Sequence, residues 1–265
     1  MLSVIRVASL AAGIAISSSS DRSGSSFDGL WVADLKTQMG QAGFDTYVVE
    51  KGVYKCESCK PARSYPADGK MRSVPGDASV ISEGVSIAGP RTIVTRIQDH
   101  EMTRETTMTV APDGRRATYI SFDRWPGRAK RLRTEYVAKR VAPAPPGAHP
   151  ASGSWAGLRY VAVPKEYRSV RFKEAKGEFT RIDFRHGRYT AKIGGPPAPV
   201  TGDGKDVFKA IVRAPDARTR IETISLNGKP LVERTYRLSS DGKSLVTTAL
   251  DPTDKSVFTT TSHRE

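Results

Sequence analysis

Two cysteines three residues apart, Cys56 and Cys59, are the first residues in this chain whose spacing could do chemistry. Such a pair works as a redox centre when it opens a helix beside a βαβ unit, where the helix N-terminus lowers the thiol pKa. Neither context surrounds Cys56-Glu57-Ser58-Cys59. The stretch from Tyr54 to Gly69 is longer than the matching one from Tyr189 to Gly195, which places both thiols in an exposed insertion. Redox chemistry and half of an intermolecular metal site remain as alternative uses. A local disulfide is the expectation, and closing so short a loop is worth about 2 kcal/mol in chain entropy.

The other reactive side chains are scattered. His100, His149, His186 and His263 stand far apart, none with a second ligand at metal spacing, and no Gly-x-Ser-x-Gly elbow is present. Carboxylates mostly neighbour a cation, as in Asp183-Phe184-Arg185 and Glu233-Arg234, which is ordinary for a solvated strand face. No catalytic residue, metal or cofactor is therefore expected, and the sequence leans against an enzyme. An enzyme stays as an alternative that needs paired carboxylates or an activated cysteine in a cleft between two domains. For binding, the candidates are Trp31 with Tyr54 and Trp155 with Tyr189, aromatics able to line the mouth of a small barrel holding an apolar ligand or simply to fill its core.

Charge offers a second kind of partner. The 265 residues carry a formal charge of +14, with 21 basic against 15 acidic residues in 1–150 and 21 against 13 in 151–265. The excess is spread over both halves, with local clusters at Arg128-Ala129-Lys130-Arg131-Leu132-Arg133 and at Arg213, Arg218 and Arg220. A solvated strand face accounts for such clusters; an anionic envelope polymer or lipid head group is the functional reading. The basic run does not alternate with aromatics as a single-strand platform would, which weighs against nucleic acid.

The elements that must position these residues are strands. Thr106-Met108-Val110, Thr118-Ile120-Phe122 and 235–238 alternate or run short with β-branched and aromatic residues, and no dozen residues carry a helical stripe. Asp113-Gly114, Asn227-Gly228 and Asp241-Gly242 are hairpin-turn dipeptides. The two halves also repeat. Gly29-Leu30-Trp31 matches Gly153-Ser154-Trp155, Gly52-Val53-Tyr54 matches Gly187-Arg188-Tyr189, and Val74-Pro75-Gly76-Asp77 matches Val200-Thr201-Gly202-Asp203. From Glu105 to Gly114 the matches to Glu233 through Gly242 keep a constant offset of 128. Duplication predicts two antiparallel meander domains over 27–141 and 152–265, joined by a Pro-rich linker over 142–151. Sheets of that size must close or pack to hide their edges, so each is expected as a small barrel, closed or half-open, or a sandwich.

The first 26 residues read as an address: a positive start over 1–6, an apolar run over 7–16, small residues at 15–17, then Ser and Gly. That order predicts a signal peptide with a Ser-rich leader, and hence a periplasmic or secreted protein. Beyond it no run reaches the ~18 apolar residues of a membrane helix, so no transmembrane segment is expected in the mature chain.

Pro199-Val200-Thr201-Gly202, Asn227-Gly228-Lys229 and Ser240-Asp241-Gly242-Lys243, after the Gly-x-Trp strand, resemble a widespread group of exported bacterial proteins of uncharacterised function. The first half matches less well, with Asp68-Gly69-Lys70 present but Asp99-His100 in place of Asn-Gly. The second has Gly194-Gly195-Pro196 where Asp-Gly-Lys would stand. The resemblance implies lipocalin-like β domains in tandem and no activity, because these motifs are turn chemistry. The expected function is non-enzymatic binding of an apolar small molecule or envelope component.

Overall fold

Alternating β-branched and aromatic runs become twenty strands and one short helical turn among the described residues. The computed structural model describes residues 26–41, 45–77, 80–100, 102–184, 187–201, 208–252 and 255–265; apart from Ser26, the expected leader over 1–26 lies outside them, as does His186. The first half holds β1 (Gly29–Gln41), β2 (Asp45–Glu50), β3 (Val53–Cys56), β4 (Arg63–Pro66) and β5 (Arg72–Ser73). It continues with β6 (Val80–Gly89), β7 (Thr92–Asp99), β8 (Thr103–Val110), β9 (Arg116–Arg124) and β10 (Leu132–Ala142). The second half runs β11 (Gly153–Ala162), α1 (Lys165–Arg168), β12 (Ser169–Ala175), β13 (Glu178–Asp183), β14 (Gly187–Lys192) and β15 (Ala198–Pro199). It ends with β16 (Phe208–Asp216), β17 (Thr219–Leu226), β18 (Lys229–Leu238), β19 (Ser244–Leu250) and β20 (Val257–Arg264).

The chain is all-β, and its strands form two ten-stranded antiparallel sheets. One sheet runs β4-β3-β2-β11-β10-β9-β8-β7-β6-β5 and the other β14-β13-β12-β1-β20-β19-β18-β17-β16-β15. Substituting each strand by its counterpart in the other half converts one order into the other. Neither sheet comes from one half alone. β1 pairs with β12 and β20, whereas β11 pairs with β2 and β10. Each half thus lends its first strand to the sheet of the other, and 27–141 and 152–265 do not fold as separate bodies.

Matching contacts anchor the exchanged strands. Trp31 opposes Arg264, whose guanidinium lies 4.7 Å over the ring, and Trp155 opposes Arg140 at 4.1 Å. Trp31 Nε1 donates to the Phe27 carbonyl and Trp155 Nε1 to the Ala151 carbonyl, both at 2.8 Å. The glycine of Gly-x-Trp starts each strand at positive φ, +122° at Gly29 and +110° at Gly153. At Gly153 an added Cβ would lie 2.6 Å from the Ala142 carbonyl oxygen, so only glycine fits there.

The Pro-rich segment does not join the two sheets. It links β10 to β11, which pair within one sheet, and His149 N donates to the Val49 carbonyl there. The chain changes sheet after β1 and again across α1.

The cysteines need the same kind of correction. Lys51-Gly52 (φ 49° and 73°) and Lys176-Gly177 (φ 52° and 75°) make the same tight turn, with both central residues at positive φ. Counting from those turns, Tyr54 corresponds to Phe179 and Cys56 to Arg181; Cys56 opposes Arg63 as Arg181 opposes Tyr189. The two hairpins agree in length to within one residue, so there is no insertion. Cys56 and Cys59 are bonded to each other, Cα to Cα 5.4 Å. Cys56 is buried, because it follows Tyr54 by two residues on the inward face, and Cys59 packs against the same core.

The two sheets close to different extents. β14 bonds to Thr201 beyond β15 through Arg188, and Gly194 N reaches the Val212 carbonyl, which nearly closes that barrel. The other sheet is a half-barrel, open between β4 and β5. There Arg63 reaches across to Asp77 and, at 2.6 Å, to Glu83.

Candidate binding site between the barrels

Trp31 and Tyr189 belong to one core, with Phe172, Phe179 and Tyr236; Trp155 and Tyr54 belong to the other, with Tyr47, Val85 and Met108. All four are buried, and strand exchange reverses the partners the sequence suggests. Tyr189 spends its hydroxyl on Glu222, at 2.6 Å. None of the four lines the cavities described next.

Residues two apart on a strand share a face, so the lining of each barrel can be followed along its strands. On β9 it runs from Tyr119 through Ser121 to Asp123, and on β10 from Ala138 through Tyr136 to Thr134. On β19 it runs from Leu245 to Thr247 and Ala249, and on β20 from Ser262 to Thr260 and Phe258. The interior changes from apolar to hydroxyl-bearing toward the end where the chain crosses over. A cavity of about 310 Å³ lies there, walled by both sheets, by Ala33, Leu35 and Gln38 of β1, and by Tyr160, Val163, Tyr167 and Arg168.

Two features organise its wall. Asp123, fully buried, accepts two hydrogen bonds from Arg104 (2.6 and 2.9 Å) and one from Tyr167 (2.6 Å), whose oxygen accepts the Trp125 indole at 2.8 Å. Burial works to lower the Arg104 pKa, but the bonds and charge of Asp123 outweigh it and hold the guanidinium above its ordinary value. Trp125, Tyr167 and Phe184 meet edge to face, with Trp125 to Phe184 at 5.2 Å, so β9 of one sheet is fastened to the β13–β14 turn of the other. The second feature is a ring ladder: Tyr136 stacks on Tyr119 at 4.5 Å and meets Tyr160 edge-on at 5.9 Å. Burial pushes the Tyr136 phenol up, so it stays neutral.

The cavity shares eight lining residues, Arg104, Tyr136, Tyr160 and Arg168 among them, with a wider groove of about 1440 Å³. Its walls include Met39 of β1 and Leu158, Tyr160 and Val161 of β11, all exposed, Met39 to 68%. Cations surround them: Lys36, Lys130, Arg131, Arg133, Arg159, Lys165 and Arg168, against Asp34, Asp45 and Glu166. Arg133, Lys130 and Lys165 have acidic partners, while Lys36, Arg131, Arg159 and Arg168 have none among the described residues. Burial leaves the Arg168 Nε without a hydrogen-bond partner, and its Nη1 donates to the Ala33 carbonyl at 3.0 Å.

Three cations of the basic run over 128–133, Lys130, Arg131 and Arg133, thus form part of the groove wall. The second cluster does not reach the groove: Arg220 is buried on Glu174, Arg213 pairs with Glu233 at the surface, and Arg218 is exposed. Sequence reasoning missed Tyr136, Tyr160, Thr134, Thr247 and Arg168, which come from both halves and carry no local signature. Among the described residues, no cluster of three or more His, Cys, Asp or Glu could hold a metal ion. No protein-family model matches the sequence, and no curated protein or solved structure matches the chain.

Proposed function

We propose that this chain is an exported, non-enzymatic binding protein that seats an amphipathic anion in the groove between its two barrels. One observation carries the reading. Met39, Leu158 and Val161 stand exposed on the two crossing strands, beside four cations with no ion-pair partner among the described residues. Exposed apolar groups rimmed by charge mark an interaction site, and the rim sets the sign of what binds. The groove so unites the two kinds of partner suggested by the sequence, an apolar molecule and an anionic envelope component. Export is supported by the leader-like start and by the Cys56–Cys59 bond, which suits an oxidising compartment. The resemblance to exported bacterial proteins with lipocalin-like domains belongs to the same proposal.

Calorimetric titration with a lysophosphatidic acid and with the matching neutral monoacylglycerol, both below their micelle concentrations, tests it. The expected result is saturable binding of the anionic lipid, at least about tenfold tighter than the neutral one, as one charge-assisted contact gives. Leu158→Asp should abolish it. Absence of saturable binding, with tight salt-sensitive binding of dextran sulfate instead, would overturn the amphiphile in favour of a plain polyanion surface.

A further inference from the structure

We infer that the inner cavity is a head-group site for a polyhydroxylated ring, an inositol or hexose, carried by the amphiphile of the outer groove. This rests on the groove reading above and specifies which amphiphile is preferred. The chemistry of the wall points to it. A sugar or cyclitol ring has apolar C–H faces and a rim of hydroxyls that both donate and accept. Its site needs aromatic surface together with groups able to do either.

The cavity supplies both. Tyr136 and Tyr160 bring aromatic surface, and Thr134, Tyr136, Tyr160 and Thr247 bring four hydroxyls with no hydrogen bond to any described residue. Other hydroxyls of the wall are consumed within the fold, Ser121 by Thr106 at 2.8 Å and Thr259 by Thr248 at 3.2 Å. The four named first are left to whatever fills the cavity. Arg168 lines both spaces, and its guanidinium has no ion-pair partner among the described residues. That position suits a phosphate linking a ring in the cavity to an acyl chain in the groove. Asp123 is already engaged by Arg104 and Tyr167, so it does not repel the anion as a bare carboxylate would.

Lysophosphatidylinositol and lysophosphatidylglycerol of the same acyl chain separate the two readings, because both carry a singly charged phosphodiester and the same tail and only the former carries a ring. The inositol lipid should bind at least about tenfold tighter, the gain expected from one or two ring hydrogen bonds. Thr134→Val and Thr247→Val remove cavity hydroxyls without changing side-chain shape. Together they should cut that affinity ratio about tenfold, while the unfolding midpoint reports an intact fold. Equal binding of the two lipids, or a ratio untouched by the double substitution, overturns this inference and leaves the groove reading standing. If neither lipid binds, both fall.

Discussion

Glu222 shows what a barrel interior demands of a charge. It is fully buried and accepts hydrogen bonds from Tyr189 (2.6 Å), Tyr236 (2.8 Å) and Arg234 (2.9 Å), with Arg181 at 3.5 Å. Burial alone would raise its pKa, but the two guanidiniums outweigh that cost and hold the carboxyl down at about 2. A carboxyl held below its unfolded value stabilises the fold fully above the unfolded pKa, near 4.5, and loses that contribution as pH falls toward 2. Glu222→Gln leaves Arg181 and Arg234 without their counter-charge and should destabilise the protein at pH 7 by about 3 kcal/mol. Urea denaturation from pH 7 to pH 2.5 should show the gap between variant and wild type narrowing below about pH 4.5. A gap constant across that range would mean that Glu222 is not ionised in the folded protein.

At the scale of elements, the exchanged strands decide which core each tryptophan supports. Trp155 follows the Pro-rich segment in sequence yet packs with Tyr47, Tyr54 and Met108, while Trp31 packs with Phe172 and Tyr236. Trp155→Ala should cost about 3–5 kcal/mol, the usual range for emptying a tryptophan site. The loss should appear as faster amide exchange in β2, β3, β9 and β10, with β16 to β18 protected as before. Trp31→Ala should give the converse, loosening β12, β13 and β20. Trp155→Phe is the milder version should the alanine variant fail to fold. Loosening of β12 to β14 by Trp155→Ala would show that each half folds on itself.

Over the whole molecule, exchange locks the two barrels together and creates the cavity between them. Pro145, Pro146 and Gly147 are exposed on the β10–β11 connection, away from both crossovers. A protease site inserted there should be cut without separating the fragments, because each retains a strand paired inside the other's sheet. Size-exclusion chromatography of the nicked protein should give a single species in native buffer and two fragments in denaturant. Two species without denaturant would refute the exchange. Ligand binding should survive the nick, since both walls of the groove stay in place.

Strands, duplication and local chemistry are legible in the order of the residues. Alternation at Thr118-Ile120-Phe122 is a property of one strand, and Asn227-Gly228 adopts φ of 50° and 80° because its residue types favour that turn. The Cys56–Cys59 bond was legible too, since two residues between cysteines bring the thiols within reach of each other. Alignment by shared letters misplaced Tyr54 against Tyr189; the equivalent turns are Lys51-Gly52 and Lys176-Gly177. Which sheet a first strand joins is a property of the folded chain as a whole. Gly-Leu-Trp and Gly-Ser-Trp offer almost the same edge to either neighbour, so no local residue type distinguishes the two sheets. The cavity follows from that choice: Thr134 and Tyr136 share one wall with Thr247 and Thr260 because both sheets line the same space, a relation between strands more than a hundred residues apart that no local spacing encodes.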